Sequence, residues 1–219
     1  MLKKYPYKSQ GLVLIMSTLL SVGIYLMRVR HSDQLYFLFL IWNLFLAWIP
    51  YLISSSLVFF NVQKKGILLL FSCLWLLFLP NSPYIITDFF HLKPRSASPY
   101  WLDLTLISAF AWTGLLLGLA SLQHMQEHIL QQLGKTFSWL GALCILFLCS
   151  FGVYLGRFER WNSWDLMTRP EALLQNIADL ILHPDSHTLG FTLAFGGFLV
   201  VAYLAFALKE YQINKYQYT

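Results

Sequence analysis

"GILLLFSCLWLLFLPNSPYIITDFFHL", residues Gly66–Leu92, places its polar and helix-breaking residues at the end of a long apolar run. The run is long enough to cross a bilayer, whose hydrocarbon core is about 30 Å thick. Only fourteen residues of it precede Pro80, which gives about 21 Å of α-helix at the usual rise. Pro80 and Pro83 therefore lie within the hydrocarbon layer or just below its edge.

We predict that this third helix is broken at Pro80–Pro83, because proline lacks an N–H and disfavours helix in the residue before it. Ser82 is expected to be extended, and the helix is expected to restart at Pro83 with Asn81 or Ser82 as its cap. Broken helices recur at binding sites in membrane proteins. The alternative is a proline kink whose freed backbone groups are bonded by neighbouring helices.

The composition is that of a membrane protein. Hydrophobic residues make up 58% of the 219 residues and charged residues only 11%, with a mean hydropathy of +0.58, whereas soluble domains carry roughly 25% charged residues. Apolar runs long enough for transmembrane helices recur along the chain. We predict an all-α polytopic bundle, a single integral membrane domain over residues 1–219, with spans at about 10–27, 35–60, 66–92, 100–121, 136–156 and 188–208.

The distribution of charge indicates orientation and excludes one class of partner. Lysine and arginine are divided almost evenly between the loops on the side of the termini and the loops on the other side of the membrane. If Arg157 and Arg160 serve a function and are not counted as topological charges, the side of the termini has the excess. We therefore expect both termini in the cytoplasm. No basic run is long enough to indicate nucleic acid binding. The loops after spans three and five are separated by two crossings, so they share the other face of the membrane.

The polar end of span three is the first candidate site. Thr87, Asp88 and His91 fall at positions i, i+1 and i+4, so Asp88 and His91 share one face of a helix. A carboxylate beside an imidazole is typical of an acid/base pair, and these two are the candidate catalytic residues. Asn81, Tyr84 and Thr87 are candidate ligand-binding residues. The alternative is an interfacial pair that caps or solubilises the helix end.

The segment "YLGRFERWNSWD", Tyr154–Asp165, is the second candidate site. Arginine presents a planar fork of donors that suits carboxylate or phosphate, and tryptophan fits an interfacial belt or stacks on arginine or on a sugar ring. The alternative is an ordinary arginine–aromatic anchor. The candidate ligand-binding residues are Arg157, Arg160, Trp161, Asn162, Trp164 and Asp165, together with Asp103 at the start of span four on the same face.

An amphipathic helix is predicted over about residues 169–182. Thr168 and Glu171 match a capping box at its start. Leucine and isoleucine occupy one face, and Gln175, Asn176 and Asp179 the other. We expect this helix to lie flat at the membrane interface and to cover the face shared by the two candidate sites.

Metal and cofactor binding have only weak signals. His183, Asp185 and His187 could join Asp88 and His91 in a metal site, but no spacing demands it. The H-x-x-E-H pattern of residues 124–128 has no evident further ligand. We assign no metal ligands and leave the cofactor open.

Three further features indicate packing inside the bundle. Asn43, a polar residue within span two, is expected to hydrogen-bond inward. Gly114 and Gly118 form a small-xxx-small pair that indicates close helix packing. The cysteines lie in apolar runs and are expected to be buried free thiols: Cys73, Cys144 and Cys149.

The motifs "LPNSPYIITDFFHL" and "YLGRFERWNSWD" together resemble the bacterial membrane proteins grouped as domain-of-unknown-function family 1361. The resemblance runs from about Asn43 to Asp165, and Ser82 stands where the family pattern has alanine. It implies a multi-spanning membrane protein, and we therefore expect the chain in the bacterial cytoplasmic membrane. It implies no established activity.

Two functions are consistent with these motifs. In the first, the motifs form one polar site that binds or processes an anionic or lipid-linked ligand. Arg157 and Arg160 then bind phosphate or carboxylate, and Asp88 with His91 transfers protons or ligates a metal. In the second, the protein is a noncatalytic membrane partner or assembly protein; a small transporter is less favoured, since no internal repeat is visible.

A single site requires the two motifs to touch. Charged side chains near a low-dielectric boundary are costly unless they are paired. We therefore expect Asp88 or His91 to lie within hydrogen-bonding reach of Arg157 or Arg160, beside Tyr84 and the tryptophans. Enzymatic activity and oligomeric state are left open.

Overall fold

The computed structural model describes residues 7–94 and 98–216, and its regular structure is helical. Short helices follow α3 and α6. The elements are α1 (Tyr7–Ser32), α2 (Leu38–Phe59), α3 (Lys65–Phe78), α4 (Asn81–Tyr84), α5 (Tyr100–His128), α6 (Lys135–Arg157), α7 (Asp165–Thr168), α8 (Pro170–Leu182) and α9 (Ser186–Tyr216), with 3₁₀ segments at Ile85–His91 and Leu130–Leu133.

Six segments within the described residues are long and apolar enough to cross a membrane. Large apolar side chains cover their outer faces; Leu12 is 61% exposed and Leu69 is 68% exposed, as expected for contact with lipid rather than water. The chain is a multi-pass membrane protein, and the predicted all-α polytopic bundle is confirmed. The six segments are Ser9–Ser32, Leu38–Phe59, Lys65–His91, Tyr100–Gln132, Lys135–Arg157 and Ser186–Ala207.

Helix α5 lies at the centre of the bundle. It is the most buried of the six spanning segments. Leu106 and Phe110 pack with residues of α1 and α2 in one core cluster, while Leu119 and Leu122 pack with α3, α6 and α9 in a second. Every other spanning segment is therefore positioned against α5 or against a helix that contacts it.

The third segment changes its hydrogen-bonding pattern at the prolines and stays helical. Helix α3 ends at Phe78, α4 makes a single turn, and a 3₁₀ helix follows. Leu79 and Pro80 keep right-handed helical dihedral angles, and the Ser82 N–H donates to the Leu79 carbonyl at 3.1 Å. The extended conformation predicted for Ser82 is wrong, because Pro83 falls in the first turn of α4, where an N–H has no intrahelical partner.

The start of this turn also differs from the prediction. Helix α4 begins at Asn81 rather than at Pro83, and no side chain caps it. The Asn81 amide instead donates back to the Phe78 carbonyl at 2.9 Å. The Ser82 hydroxyl donates to the Ala47 carbonyl of α2 at 3.2 Å. The Phe78 carbonyl at the end of α3 and the polar side chains of Asn81 and Ser82 are thus all hydrogen-bonded at membrane depth.

Glycines on α5 and α6 make room for the proline segment. A Cβ atom added to Gly114 would lie 2.5 Å from the Ser82 carbonyl oxygen, and one added to Gly152 would lie 2.5 Å from Cγ of Pro80. A Cβ on Gly118 would approach Cβ of Ser82 to 3.0 Å. The close packing predicted at Gly114 and Gly118 is confirmed, and its partner is α4.

The amphipathic helix predicted near residues 169–182 is present as α8. Leu174 and Ile181 on its apolar side are 57% and 63% exposed, which suits the boundary between headgroups and hydrocarbon. The predicted capping box is wrong. No side chain caps α8, because the Thr168 hydroxyl bonds the Asp165 carboxylate at 3.1 Å instead.

The prediction that all three cysteines are buried is wrong for two of them. Cys149 is buried, whereas Cys73 and Cys144 are exposed on the outer faces of α3 and α6. Composition does not separate these cases, because the lipid-facing side of a spanning helix is as apolar as its inner side.

We predict that Gly114→Ala lowers the free energy of unfolding by about 1–3 kcal/mol, since the new methyl group overlaps the Ser82 carbonyl and forces a backbone shift. Unfolding of the purified protein in detergent, followed by circular dichroism, measures this. Gly197→Ala in α9 is the matched control, because nothing lies within 4 Å of an added Cβ there and alanine is the better helix former. Equal stability of the two variants would contradict the close approach of α4 to α5.

Candidate functional site

The two predicted motifs meet at an ion pair. Arg157, in the last turn of α6, pairs through Nη2 with Oδ1 of Asp88 in the 3₁₀ segment. Its Nε donates to Oγ1 of Thr87 at 2.7 Å, and its Nη1 donates to Nε2 of His91 at 3.3 Å. The predicted contact between the motifs is confirmed, and it runs through Arg157.

The 3₁₀ geometry explains why the two acid/base candidates face the same partner. Side chains three residues apart eclipse one another in a 3₁₀ helix, so Asp88 and His91 project from one side of the segment. Thr87 lies beside them, and its hydroxyl donates to the Tyr84 carbonyl at 2.6 Å while accepting from Arg157. The change of helix type after the prolines therefore shapes the receiving side of the ion pair.

Asp88 is buried, and both of its carboxylate oxygens are bonded. It is 1% exposed, and its second oxygen accepts from Nδ2 of Asn43 at 2.9 Å. The inward hydrogen bond predicted for Asn43 is thereby confirmed. Since a buried charge is tolerated only when it is paired and hydrogen-bonded, this network fixes α2, the third segment and α6 to one another.

The Arg157 guanidinium also lies over two aromatic rings. Its Cζ lies 4.3 Å from the centre of the Tyr84 ring and 5.9 Å from that of Phe90. Arginine has five N–H donors, and three of them make the bonds to Asp88, Thr87 and His91. Among the described residues the other two have no acceptor, and the side chain is 11% exposed. The guanidinium is therefore held in place by three hydrogen bonds and by the aromatic rings beside it.

Most of the second motif forms a compact loop around Asp165. This carboxylate is 3% exposed and accepts from the Asn162 backbone N–H at 2.8 Å and from the Arg169 guanidinium at 3.1 Å. The backbone hydrogen bond from Asn162, with further bonds from Arg169, Thr168 and the Asn162 amide, holds the pKa of Asp165 below its ordinary value. Asp165 thus organises the loop and does not contact the Asp88–Arg157 pair.

The tryptophans of this loop contact other helices, and Asn81 hydrogen-bonds to the loop. Trp161 donates to the Asn176 side chain of α8 at 2.9 Å, and the Trp164 ring lies 6.4 Å from that of Trp42. The Asn81 amide donates to Oγ of Ser163 at 3.0 Å. Ser163 is a contact that the sequence did not reveal, because nothing distinguishes it from other loop serines.

Arg160 differs from its neighbours in the loop. Its side chain is exposed, its φ is +60°, and within the described part of the chain it makes no ion pair. The next residue, Trp161, donates its backbone N–H to the Leu155 carbonyl at 3.0 Å. The left-handed residue therefore turns the chain back onto the end of α6.

Asp103 belongs to a separate ion pair that the sequence reading missed. Arg28 of α1 is 0% exposed and donates through Nε to Oδ1 of Asp103 at 3.2 Å and through Nη1 to the Gln34 carbonyl at 2.9 Å. Ser98 also donates to Asp103, at 3.0 Å, and the Phe37 ring centre lies 5.0 Å from the Arg28 guanidinium carbon. This pair joins α1 to α5 at the same end of the bundle.

A buried polar network occupies the opposite end. His124 is 0% exposed; its Nδ1 lies 3.3 Å from Oγ of Ser54, and its Nε2 lies 3.2 Å from Oε1 of Gln10. Trp75 donates to Oγ of Ser121 at 2.7 Å, and that hydroxyl lies 3.1 Å from Ser54. These contacts join α1, α2, α3 and α5. Both histidines of the H-x-x-E-H pattern lie within α5, which ends at His128.

The described residues contain no group of three or more His, Cys, Asp or Glu that could hold a metal ion. His187, from the weaker metal pattern, instead packs its ring 4.6 Å from that of Phe158. The structure thus gathers Asp88 and His91 around an arginine and not around the histidines that follow α8.

Residues 42–202 match the family described as Protein of unknown function (DUF1361). The match covers most of the chain and contains Asn43, Asp88 and Arg157. The chain belongs to this family. Arg28 lies outside the matched range of the DUF1361 family. No curated protein and no solved structure matches the chain.

In this DUF1361 protein we predict that Asp88→Asn lowers the free energy of unfolding by about 3–5 kcal/mol, because Arg157 then lacks its counter-charge in a buried setting. Arg169→Gln is the matched control: its side chain is 60% exposed in its pair with Asp165, and such pairs contribute less than about 1 kcal/mol. Denaturation in detergent compares the two variants. A cost for Asp88→Asn no larger than that of the control would show that the buried pair is not a structural requirement.

Proposed function

We propose that this end of the bundle binds the anionic group of a membrane amphiphile, a phosphate or a carboxylate, at Arg157 and Arg160. Guanidinium groups suit these anions because they offer paired N–H donors in one plane. Two N–H donors of Arg157 have no acceptor among the described residues, and the Tyr84 ring packs against the guanidinium. The edge of Arg157 is therefore preorganised for a ligand.

The observation that carries the proposal is the backbone of Arg160. A residue other than glycine in the left-handed region costs about 1 kcal/mol, and strain of this kind is typical of functional positions. Arg160 occupies such a position, with φ +60° and an exposed side chain. Glycine would relieve the strain, but it would remove the cation.

The two arginines have different parts in this proposal. Asp88 neutralises the charge of Arg157, so Arg157 contributes directed hydrogen bonds more than net attraction. Arg160 supplies the uncompensated positive charge that attracts an anion. Binding is favoured over chemistry at Asp88, because this carboxylate is 1% exposed and both of its oxygens already accept hydrogen bonds. His91, half-buried beside Arg157, is the group best placed to exchange a proton with a bound ligand.

We also propose that the chain is a single domain of the bacterial cytoplasmic membrane with both termini in the cytoplasm. The buried ion pairs support this orientation: Arg28 and Arg157 are paired inside the bundle and do not act as loop charges, which leaves the lysine excess on the side of the termini. The anion site then faces the outside of the cell.

A reporter fused after Thr219 tests the orientation. A fluorescent protein that matures only in the cytoplasm is expected to be bright at this position. A dark fusion at normal expression, together with an active periplasmic reporter at the same place, would reverse the orientation.

We predict that Arg160→Gly raises stability and weakens anion binding at once, because it relieves the backbone and removes the cation. With palmitoyl lysophosphatidic acid as the probe, the affinity should fall about tenfold or more, as for the loss of a hydrogen bond to a charged group. Native mass spectrometry measures retention of the probe, and thermal unfolding measures stability.

Asn61→Gly is the matched control for this experiment. Asn61 has φ +45° and lies in the loop at the opposite end of the bundle, so the substitution relieves a similar backbone conformation without touching the site. Binding is expected to be unchanged. If Arg160→Gly also leaves binding unchanged, the anion site is wrong, and a noncatalytic membrane partner becomes the better description of the protein.

A further inference from the structure

We infer that the hydrocarbon chain of the bound amphiphile lies along a row of aromatic rings that starts at Arg157 and follows α9 into the membrane. This inference rests on the proposed function and extends it from the headgroup to the chain. We call these residues the phenylalanine row: Phe90, Phe158, Phe191, Phe195 and Phe198.

The row begins at the anion site. The ring centre of Phe90 lies 5.9 Å from the guanidinium carbon of Arg157 and 6.3 Å from the ring centre of Phe158. Phe158 follows Arg157 in the chain, and its ring lies 5.1 Å from that of Phe191 on α9. The same rings therefore border the cation and the first turns of α9.

The row continues along one face of α9. Phe191 and Phe195 are stacked with ring centres 5.2 Å apart, and the ring of Phe198 lies 5.9 Å from that of Phe195. Residues spaced by four and three share a face of a helix. Phe198 lies about 10 Å deeper along the helix axis than Phe191, well inside the apolar layer.

Small residues run parallel to the row on α9. Each phenylalanine of the row on α9 is preceded in the chain by a small residue: Gly190, Ala194 or Gly197. Nothing lies within 4 Å of a Cβ added at either glycine. Helix α9 is the least buried of the six spanning segments, and Phe198 is 47% exposed. The rings and the small residues therefore border a shallow trough that is open to lipid.

The occupant that fits this trough is a single hydrocarbon chain attached to an anionic headgroup. The rings and small residues that border the trough on α9 are apolar, and the phenylalanine row reaches the Arg157 guanidinium at Phe90. A free anion uses only the upper end, and a neutral chain uses only the lower part. An amphiphile satisfies both parts at once, with its headgroup at the level of Arg157.

The test compares probes that share a headgroup and differ in chain length: palmitoyl lysophosphatidic acid, hexanoyl lysophosphatidic acid and inorganic phosphate. Phe198→Ala is expected to weaken the palmitoyl probe about threefold to tenfold, the effect of losing one aromatic contact, and to leave the other two unchanged. Phe71→Ala is the matched control, because Phe71 is 40% exposed on α3 and lies outside the row. It should alter none of the three affinities.

The outcomes separate this inference from the proposed function. If Arg160→Gly weakens every probe but Phe198→Ala weakens none, the anion site stands and the chain does not use the row. If Arg160→Gly affects no probe, the proposed function fails. Equal affinity of wild type for inorganic phosphate and the palmitoyl probe would overturn the inference. So would a change of oligomeric state in Phe198→Ala without an effect on binding, since the trough would then be an interface between copies of the chain.

Discussion

The buried ion pair between Asp88 and Arg157 is the interaction on which the arrangement of this end of the bundle depends. A carboxylate that is 1% exposed stays charged only if an opposite charge and hydrogen-bond donors surround it. Arg157 supplies the charge from the last turn of α6, where a cation also complements the helix dipole, and Asn43 supplies a donor from α2. Helix α2, the third segment and α6 are distant in the sequence, and the need to pair the buried charge therefore fixes their relative positions.

The proline segment makes that position accessible. A regular α-helix would place residues three apart at an angle to one another, whereas the 3₁₀ helix aligns Asp88 with His91. The prolines cause this change of pattern, and the glycines of α5 and α6 allow the altered segment to approach them closely. The hydrogen-bond network of Arg157 and the packing of α4 thus have a common origin in the residues from Pro80 to Tyr84.

Several parts of this arrangement follow from sequence alone. The apolar runs define the six spans, and counting membrane crossings places both motifs at one end. The cost of an unpaired charge then predicts the contact of Asp88 with Arg157. Helix ends are less accessible to such reasoning, because Thr168 bonds Asp165 in place of its expected cap and Ser82 stays helical within a tight turn.

The Arg28–Asp103 pair was missed because Arg28 stands at the end of an apolar run, where arginine usually marks a loop. A better signal was present in α1. Ser21 and Arg28 are seven residues apart and therefore on one face, and Ser21 is fully buried too. A polar stripe along a spanning helix indicates the side that packs inward, and this one would have assigned Arg28 to the interior.

The separation of these charges along the chain has a consequence for biogenesis. Arg28 and Asp103 are 75 residues apart, and at synthesis rates of about 5–20 residues per second the arginine emerges roughly 4–15 s before its partner. During this interval the first helix carries a cation that its final position would bury. It therefore stays near water or the translocation machinery until the fourth span arrives, and the first helix takes its final position only then, although it is the first to be made.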